Sequence, residues 1–306
     1  MEEGQSMNRR KLRGSLMLLL TALVWGMGFV AQSAGMDYIG PFTFLAARSF
    51  LGCLVLLPVM ALTSRKIPGE KPVPGERRTL ILGGILCGTA LFVASGLQQM
   101  GIQETTAGKA GFLTAMYIVL VPVFGLFLGR RPGAKVWGAV ALALAGMYFL
   151  CLYGTGLGGI NRGDLLEMAC AVGFTVHILI IDRYSGNVDG VKMSCIQFLV
   201  CGLLSTVCML LWETPTWKEI LGAWLPIVYA GVVSSGVGYT LQVVAQKDTD
   251  PTVASLLLSL ESVFSLIAGW ILLGQRMSGR ELLGCVLMFA AIIWVQLPRG
   301  IKEKAE

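Results

Sequence analysis

Hydrophobic residues in this chain are grouped in long runs that short polar links separate. A helix needs about 20 mainly apolar residues to cross the hydrocarbon core of a bilayer, and the 306 residues hold ten stretches of that kind. The predicted spans are 16–34, 41–62, 79–98, 107–128, 136–153, 165–181, 193–211, 223–243, 252–273 and 281–297. The longest link is the basic stretch TSRKIPGEKPVPGERR at 63–78. The pattern therefore predicts an all-α polytopic membrane protein that works inside the membrane.

The composition agrees with this pattern and excludes several other classes. Hydrophobic residues make up 55% of the chain and charged residues 14%, whereas roughly a quarter of the residues in a soluble domain are charged. The basic stretch NRRKLRG precedes the first span, but that span is longer than the apolar region of a cleaved signal peptide. The eight cysteines form no CxxC pair and His177 is the single histidine, so we expect packing cysteines and neither a metal site nor a cofactor.

The charged residues predict the orientation of the chain. Counting alternate sides from the N-terminus places most Lys and Arg on one side, and the other side holds only Arg162, Lys218, Arg276 and Arg280. The positive-inside rule then makes both termini cytoplasmic, in a plasma or inner membrane. We expect residues 1–15 and 298–306 to be cytoplasmic tails. The net charge of +6 is read as this topological signal, and no nucleic-acid partner is expected.

The two halves of the chain are similar in sequence. LFLGRRPGAKVWGAVALALAGMYFL at 126–150 lies over ILLGQRMSGRELLGCVLMFAAIIWV at 271–295, which matches Gly129 to Gly274. Each half, 16–153 and 163–297, holds five predicted spans, so the second half must enter the membrane upside down relative to the first. Inverted repeats of this kind are typical of secondary transporters, whose site lies near the midplane between the halves. No GxxxxGKS loop is present, which argues against an ATP-driven engine.

Two stretches carry a resemblance to a known family. LQQMGIQETTAGKAGFLTAMYIVLVPVFGLFLG (97–129) and SSGVGYTLQVVAQKDTDPTVASLLLSLESVFSLIAGWILLG (234–274) resemble EamA-type members of the drug/metabolite transporter superfamily. The resemblance extends from Leu16 to Leu297. It implies ten helices in two inverted five-helix repeats, a central substrate cavity, and transport of small metabolites, amino acids or drugs, often outward. It leaves the substrate open.

The chain departs from the family pattern at three positions. Many members carry an acidic residue after the Leu-Gly that ends the fourth and ninth helices, and here those positions are Arg130 and Gln275. Many also have proline after the ninth-helix glutamate, where this chain has Ser262. The absence of that proline puts a family-wide kink at this turn in doubt.

Glu261 and Arg48 are the charged residues that the sequence places deepest in predicted spans. With a rise of about 1.5 Å per residue, Glu261 lies roughly 15 Å from Pro251 and Arg48 roughly 10 Å from Pro41. Ionisable residues at such depth are costly and usually functional. Glu261 has Met116 as its counterpart at the repeat offset of 145 residues, so only one half carries the carboxylate.

Each of these two residues has a functional and a structural interpretation. Glu261 is a candidate to bind a cationic part of the substrate or to carry a coupling proton, or else a structural carboxylate that Arg48 neutralises or that backbone groups bind. Arg48 is a candidate to hold a substrate carboxylate in a bidentate manner, or else a link between helices.

Three further ionisable residues lie in predicted spans. Lys109 and Glu167 fall in the first turns after the outer surface. Each is a candidate to line the outer mouth of the binding site, Lys109 as a substrate-binding residue, or else its side chain reaches the interface. His177 lies in the inner half of the sixth span and titrates near neutral pH when solvated, although a lone histidine on an apolar helix is usually a packing residue.

Uncharged polar and aromatic residues complete the candidate binding site. Gln98 and Gln242 occupy equivalent positions in the two halves, close to Ser95 and Tyr239, as a symmetric site requires. Ser234, Ser235 and Gln197 lie on neighbouring spans, and Trp25 is a candidate to close over the substrate. The structural alternative is that these residues only bind neighbouring helices together. The spacings Gly84-x-x-x-Gly88 and Gly231-x-x-x-Ser235 predict close helix packing.

The leading hypothesis is a secondary transporter that moves a small organic metabolite, amino acid or drug by alternating access. We expect no catalytic residues, because no convergent catalytic set is present. The alternatives are a lipid-intermediate or multidrug carrier, or a membrane sensor or assembly subunit without flux. The expected partners are a small-molecule substrate and the lipid bilayer, and a homodimer is left open.

Overall fold

The computed structural model describes residues 2–63, 75–105, 107–151, 161–186, 188–273 and 278–297. Within these ranges every regular element is a helix. The helices are α1 (Glu2–Met36), α2 (Pro41–Thr63), α3 (Glu76–Gly101), α4 (Ala107–Thr114), α5 (Tyr117–Phe127), α6 (Ala134–Cys151), α7 (Arg162–Tyr184), α8 (Gly190–Trp212), α9 (Trp217–Gly222), α10 (Trp224–Val228), a π-helical segment (Tyr229–Tyr239), α11 (Thr240–Ala245), α12 (Pro251–Leu258), α13 (Glu261–Leu273) and α14 (Gly279–Gln296).

Eight segments of the described chain are long and apolar enough to cross a membrane. They are Leu12–Met36, Pro41–Leu62, Glu76–Gly101, Ala110–Phe127, Arg162–Tyr184, Gly190–Trp212, Trp224–Ala245 and Pro251–Ala268. Each overlaps one of the predicted spans. The predicted fifth and tenth spans coincide with shorter apolar helices, Ala134–Gly146 and Leu282–Val295. The all-helical, multi-span prediction is confirmed at this level.

Polar side chains in the links set where the helices begin. The Asn161 side chain accepts from the backbone N–H of Asp164, and the Asp164 carboxylate accepts from that of Asn161, at 2.8 and 3.0 Å. The Asp189 carboxylate accepts from the backbone of Val191 at 2.9 Å. These side chains satisfy N–H groups that the first helical turn leaves free.

Contacts between links divide the helix ends into two groups. At one end, here called the basic end, residues 128–133, 188–190 and 246–250 of three links meet: Lys247 Nζ donates to the Val188 carbonyl, and Arg130 pairs with Asp182. At the opposite end, called the acidic end, residues 37–40, 102–105 and 213–216 of three links meet, and Asn161 Nδ2 donates to the Glu104 carbonyl at 2.6 Å. The helices therefore run alternately up and down between the two ends.

Small residues let the long helices approach closely. α3 packs along α7 and α8, α2 along α8, α1 along α13, and α6 along α14. A Cβ on Gly84 would lie 2.5 Å from Ile196 Cγ2, and one on Gly88 would lie 2.6 Å from Val200 Cβ. The predicted close packing at Gly84-x-x-x-Gly88 is confirmed, because no larger residue fits there without a shift of α8.

Large apolar side chains cover the outside of the helix bundle. Phe127 is 84% exposed, Leu210 73% and Trp217 80%. Trp212 and Trp224 are also exposed at the acidic end, which agrees with a belt of tryptophans at a membrane interface. Large exposed apolar side chains of this kind are typical of a surface that contacts lipid.

Two helices are interrupted at equivalent positions of the two halves. α4 and α5 are separated by a turn at residues 115–116, and α12 and α13 by one at 259–260. At the second break the backbone N–H of Leu260 bonds the carbonyl of Leu257 at 3.3 Å, three residues back instead of four. Ser255 and Ser259 hydroxyls donate to carbonyls of the preceding turn at 2.9 and 2.8 Å, which bends helices. The break thus forms although residue 262, the second residue of α13, is a serine and not a proline.

Candidate functional site

A cavity lies between the two helix breaks, in the middle of the bundle. Its empty volume is about 420 Å³ when space open to solvent is counted. It is narrow, with room for roughly one or two water molecules to move. The lining side chains are Trp25, Phe29, Gln32, Arg48, Gln98, Thr114, Tyr117, Phe174, Ile178, Ser234, Tyr239, Gln242 and Glu261. An organic solute therefore needs the walls to separate before it can enter.

Glu261 forms the acidic part of the cavity wall. It is the first residue of α13, directly after the helix break, and only 3% of it is exposed. The Tyr117 hydroxyl, at the start of α5 after the other break, donates to Glu261 Oε1 at 2.8 Å. The two interruptions therefore face each other, and one hydrogen bond joins them.

Arg48 forms the basic part of the same wall. It lies on α2, is 3% exposed, and its Nη1 donates to the Gln32 side-chain oxygen of α1 at 3.0 Å. Gln32 is neutral, so it orients the guanidinium without cancelling its charge.

The two opposite charges do not meet. Among the described residues Arg48 and Glu261 form no ion pair with each other or with another charged group. The structural interpretation in which Arg48 neutralises Glu261 is therefore not what the geometry shows. A buried guanidinium group and a buried carboxyl group instead face one cavity from different helices.

Amide and hydroxyl groups line the cavity between the charges. Gln98 Nε2 donates to Thr114 Oγ1 at 3.2 Å, and Thr114 Oγ1 donates to Glu167 Oε2 at 2.9 Å. Gln242 Oε1 is buried with no partner among the described residues. Both repeat-equivalent glutamines therefore reach the cavity, as the sequence predicts.

Aromatic rings form another part of the cavity wall. The rings of Trp25 and Tyr239 lie 4.4 Å apart, and Trp25 Nε1 donates to the Ser234 carbonyl at 3.4 Å. Phe198 and His177 stand edge-on to Tyr239 at 5.8 and 5.9 Å. The π-helical segment brings Ser234 and Tyr239 onto this wall, in keeping with the frequent use of π-helical turns at functional sites.

Three predicted site residues, His177, Ser95 and Ser235, are not part of the described cavity lining. His177 lies behind Tyr239, fully buried, with its Nε2 3.0 Å from Gln197 Oε1. Ser95 is buried one turn before Gln98 on α3. Ser235 packs against α2, where a Cβ added to Gly52 would lie 2.8 Å from the Cβ of Ser235. The side chain of Lys109 lies outside the described part of the structure.

Glu167 differs from its sequence expectation. Its side chain does not reach the interface: it is completely buried, and a Cβ on Gly101 would lie 2.9 Å from its Oε1. Gly101 of α3 leaves room for the carboxyl group, which Thr114 then binds. Depth along a helix therefore did not predict the side of the helix on which the carboxylate lies.

A second cavity opens at the acidic end. Its empty volume is about 600 Å³, and its lining includes Asp37, Glu213 and Glu219. Backbone and side-chain hydrogen bonds with Thr216 hold the pKa of Glu219 below its usual range, which favours its ionised form. The Glu213 carboxylate accepts from the backbone N–H groups of Phe42 and Thr43 at 2.8 Å each. The lining of this second cavity is therefore negatively charged.

Several lining residues were not predicted from the sequence. Phe29, Gln32, Thr114, Tyr117, Phe174 and Ile178 were missed. Tyr117 could have been predicted from the sequence, because it directly follows Met116, the repeat counterpart of Glu261. Within the described ranges no group of three or more His, Cys, Asp or Glu side chains could hold a metal ion.

Comparison with protein families decides what kind of helical bundle this is. The model of the EamA-like transporter family matches residues 12–152 and 161–297, which is nearly all of both halves. The chain belongs to the EamA-like transporter family. It is therefore a multi-pass membrane protein of a transporter family, and nothing in that family assignment indicates catalysis.

Relatives of this EamA-like protein include proteins named as transporters. An uncharacterized transporter of Archaeoglobus fulgidus is 28% identical over 97% of this chain and 90% of its own length. The uncharacterized transporter YoaV of Bacillus subtilis is 20% identical over 90% of this chain and 94% of its own length. The threonine/homoserine exporter RhtA of Salmonella typhimurium is 24% identical over 80% of this chain and 78% of its own length.

A solved structure shares the fold. The structure, described as "Crystal structure of protein", superimposes with a TM-score of 0.74 over 92% of this chain and 96% of its own, at 20% identity. At this identity the match supports the fold and says nothing about a substrate.

Proposed function

We propose that this EamA-like protein is a secondary transporter of a small zwitterionic solute, an amino acid or a close analogue, which it moves by alternating access. One observation carries the proposal: Arg48 and Glu261 are both buried in one cavity and are not paired with each other. Each isolated charge is costly within a membrane. A solute with a carboxylate and an ammonium group would give both charges a partner at once.

The two halves supply the proposed mechanism. We infer ten membrane helices in two inverted repeats, 16–153 and 163–297, with both termini and the basic end in the cytoplasm. The equivalent helix breaks at 115–116 and 259–260 support this arrangement, because interrupted helices at the midplane form the binding site in many inverted-repeat transporters. The narrow cavity is consistent with a closed intermediate between two open conformations.

The exporter name of one relative supports the choice of solute. RhtA of Salmonella typhimurium is named a threonine/homoserine exporter, and we take these two amino acids as first candidates. We further propose that Glu261 binds a proton when the ammonium group leaves, which would couple solute movement to proton movement in the opposite direction.

An organic cation is the second candidate solute. The aromatic wall of Trp25 and Tyr239 beside Glu261 would attract it, because ring faces and a carboxylate both favour a cation. This candidate does not need Arg48. Competition by a lipophilic cation that survives Arg48→Gln would favour it over an amino acid.

The test is exchange of labelled threonine and homoserine by purified protein in liposomes. Arg48→Gln and Glu261→Gln should each abolish exchange while the proteins stay folded, because each removes one partner of the zwitterion. The matched controls, Arg77→Gln and Asp248→Asn, change exposed charges and should exchange at the wild-type rate. Wild-type exchange by either cavity variant would contradict the proposal.

A further inference from the structure

Several buried polar side chains lie between the central cavity and the basic end. They are His177 on α7, Ser194 and Gln197 on α8, Gln242 on α11 and Gln246 directly after α11. These five residues are here called the polar seam. None is more than 2% exposed. Relative to the membrane segments Arg162–Tyr184, Gly190–Trp212 and Trp224–Ala245, all five lie in the half nearer to the basic end or directly after it, since the first and third segments end there and the second begins there.

Each residue of the polar seam has an atom without a hydrogen-bond partner among the described residues. The atoms are His177 Nδ1, Ser194 Oγ, Gln197 Nε2, Gln242 Oε1 and Gln246 Oε1. The bonds that these side chains do make use only their other atoms: His177 Nε2 lies 3.0 Å from Gln197 Oε1, and Gln246 Nε2 donates to the Ile178 carbonyl at 3.3 Å. Every one of these five side chains therefore has at least one polar atom that no described residue satisfies.

Such a seam is unstable in a membrane unless another source of hydrogen bonds exists. Lipid supplies no donors or acceptors, and unpaired polar groups at membrane depth are tolerated where they line a water-filled path. Buried polar atoms without protein partners are ordinarily bound by water. In this closed conformation the side chains pack too tightly for bulk water to reach them.

An apolar cluster adjoins the polar seam and lies nearer to the basic end than His177, Gln197 and Gln242. It contains Ile181, Met193 and Val243, all buried, and it is here called the plug. These residues lie on α7, α8 and α11, the same helices that carry the seam. The seam also adjoins the central cavity, because Gln242 and Ile178 line that cavity.

We propose that the polar seam is the hydrated route between the central cavity and the basic end, closed by the plug in this conformation. When α11 separates from α7 and α8, the plug opens and water satisfies the five unpaired atoms. The proposal rests on the proposed transport function, because alternating access requires a route from the cavity to each end.

The first experiment measures water access with single cysteines, in a background from which the eight native cysteines are removed. Ser194→Cys and Gln246→Cys report on the seam. Leu199→Cys is the matched control, because Leu199 is on α8 as well but is 44% exposed on the lipid side. A charged, membrane-impermeant thiosulfonate is applied to one face of sealed vesicles at a time.

Both seam cysteines should react about ten-fold faster from the basic end than from the acidic end, and Leu199→Cys should react from neither. Widening the plug with Met193→Ala should increase the rate at Ser194→Cys further. Seam cysteines that react no faster than Leu199→Cys, or that react at least as fast from the acidic end as from the basic end, would overturn the proposal.

A second measurement uses the unaltered chain, in case the cysteine-free background does not fold. Radiolytic hydroxyl-radical footprinting oxidises side chains next to internal water. Met193 in the plug and Met288 in the apolar core are both 0% exposed, so they form a matched pair. Met193 should be oxidised several-fold faster than Met288, and equal rates would overturn the proposal.

These outcomes separate the route from the proposed function. Seam labelling without exchange of any amino acid would leave the route standing and contradict the zwitterion carrier. If amino acids are exchanged while the seam cysteines stay unlabelled and Met193 is oxidised no faster than Met288, only the proposed route is contradicted.

Discussion

At the scale of single residues, the cavity is defined by a few polar contacts across the two helix breaks. Tyr117 donates to Glu261, and Gln32 accepts from Arg48. Each contact leaves one face of the charged group toward the cavity. The bonds therefore hold the charges in position without satisfying them fully, which is what a binding site for an oppositely charged solute requires.

The Tyr117 hydroxyl should contribute to both stability and transport. Tyr117→Phe keeps the ring but removes the donor to Glu261, so the free energy of unfolding should fall by about 1–3 kcal/mol. Amino-acid exchange should slow as well, because Glu261 is then free to turn away from the cavity. Thermal unfolding and liposome exchange measure the two effects.

Tyr38→Phe is the control for that change, because Tyr38 is 51% exposed at the acidic end. It should leave both quantities unchanged. Equal behaviour of Tyr117→Phe and Tyr38→Phe would show that the hydrogen bond to Glu261 has no role.

Arg48→Lys should weaken solute binding although it keeps the positive charge. Lysine lacks the planar guanidinium group that binds a carboxylate through two hydrogen bonds. Losing one such bond to a charged group should reduce the binding free energy of the solute by about 1.5–3 kcal/mol, or roughly ten-fold or more in affinity. The concentration for half-maximal exchange should rise. An unchanged value would mean that Arg48 does not contact the solute.

At the scale of helices, close approach and interruption set the position of Glu261. α1 touches α13 at Gly26, where a Cβ would lie 2.4 Å from Phe264 Cβ and 2.8 Å from the Glu261 carbonyl oxygen. Because backbone atoms of α13 are involved, a larger residue can be accommodated only if the helix moves. The glycine therefore fixes the distance between α1 and the helix that carries the carboxylate.

Gly26→Ala should destabilise the protein and slow exchange. Overpacking at a site of this kind costs about 1–3 kcal/mol, and the shift of α13 displaces Glu261. Gly28→Ala, on the same helix, is the control: its Cβ would meet Ser234 Oγ at 3.7 Å, an ordinary contact. If the two variants unfold at the same temperature, the close approach of α1 and α13 is not a constraint.

The sequence alone predicted where the helices lie better than it predicted which side of each helix faces the cavity. Hydropathy located the spans, and the depth of Glu261 and Arg48 marked them as cavity residues. Glu167 was placed at the interface because rise per residue gives depth, whereas the room that Gly101 provides is visible only after packing. Ser234, not Ser235, lines the cavity because the π-helical segment alters the helical register.

At the scale of the whole molecule, polar contacts join the two halves at both ends. At the basic end Arg130, from the first half, pairs with Asp182 and lies 3.8 Å from Asp250, both from the second half. At the acidic end Glu213 of the second half binds the start of α2 in the first half. Contacts at both ends favour the closed conformation.

Arg130→Gln should shift the population toward conformations that are open at the basic end. Arg130 and Asp250 are partly exposed, so the loss of stability should be small, about 0–1 kcal/mol. The rate of Ser194→Cys labelling from the basic end should nevertheless rise several-fold. Arg131→Gln, at an exposed neighbouring position, should have no effect, and equal labelling in both backgrounds would contradict this role of Arg130.

The central claim is that one cavity holds the two charges of a zwitterion, and matched analogues test it most directly. Exchange of threonine, its methyl ester and its N-acetyl derivative is measured in liposomes with wild type, Arg48→Gln and Glu261→Gln. Wild type should prefer threonine to either analogue by about ten-fold or more. Arg48→Gln should no longer distinguish threonine from the ester, and Glu261→Gln should no longer distinguish it from the N-acetyl derivative. Unchanged discrimination in both variants would contradict the account.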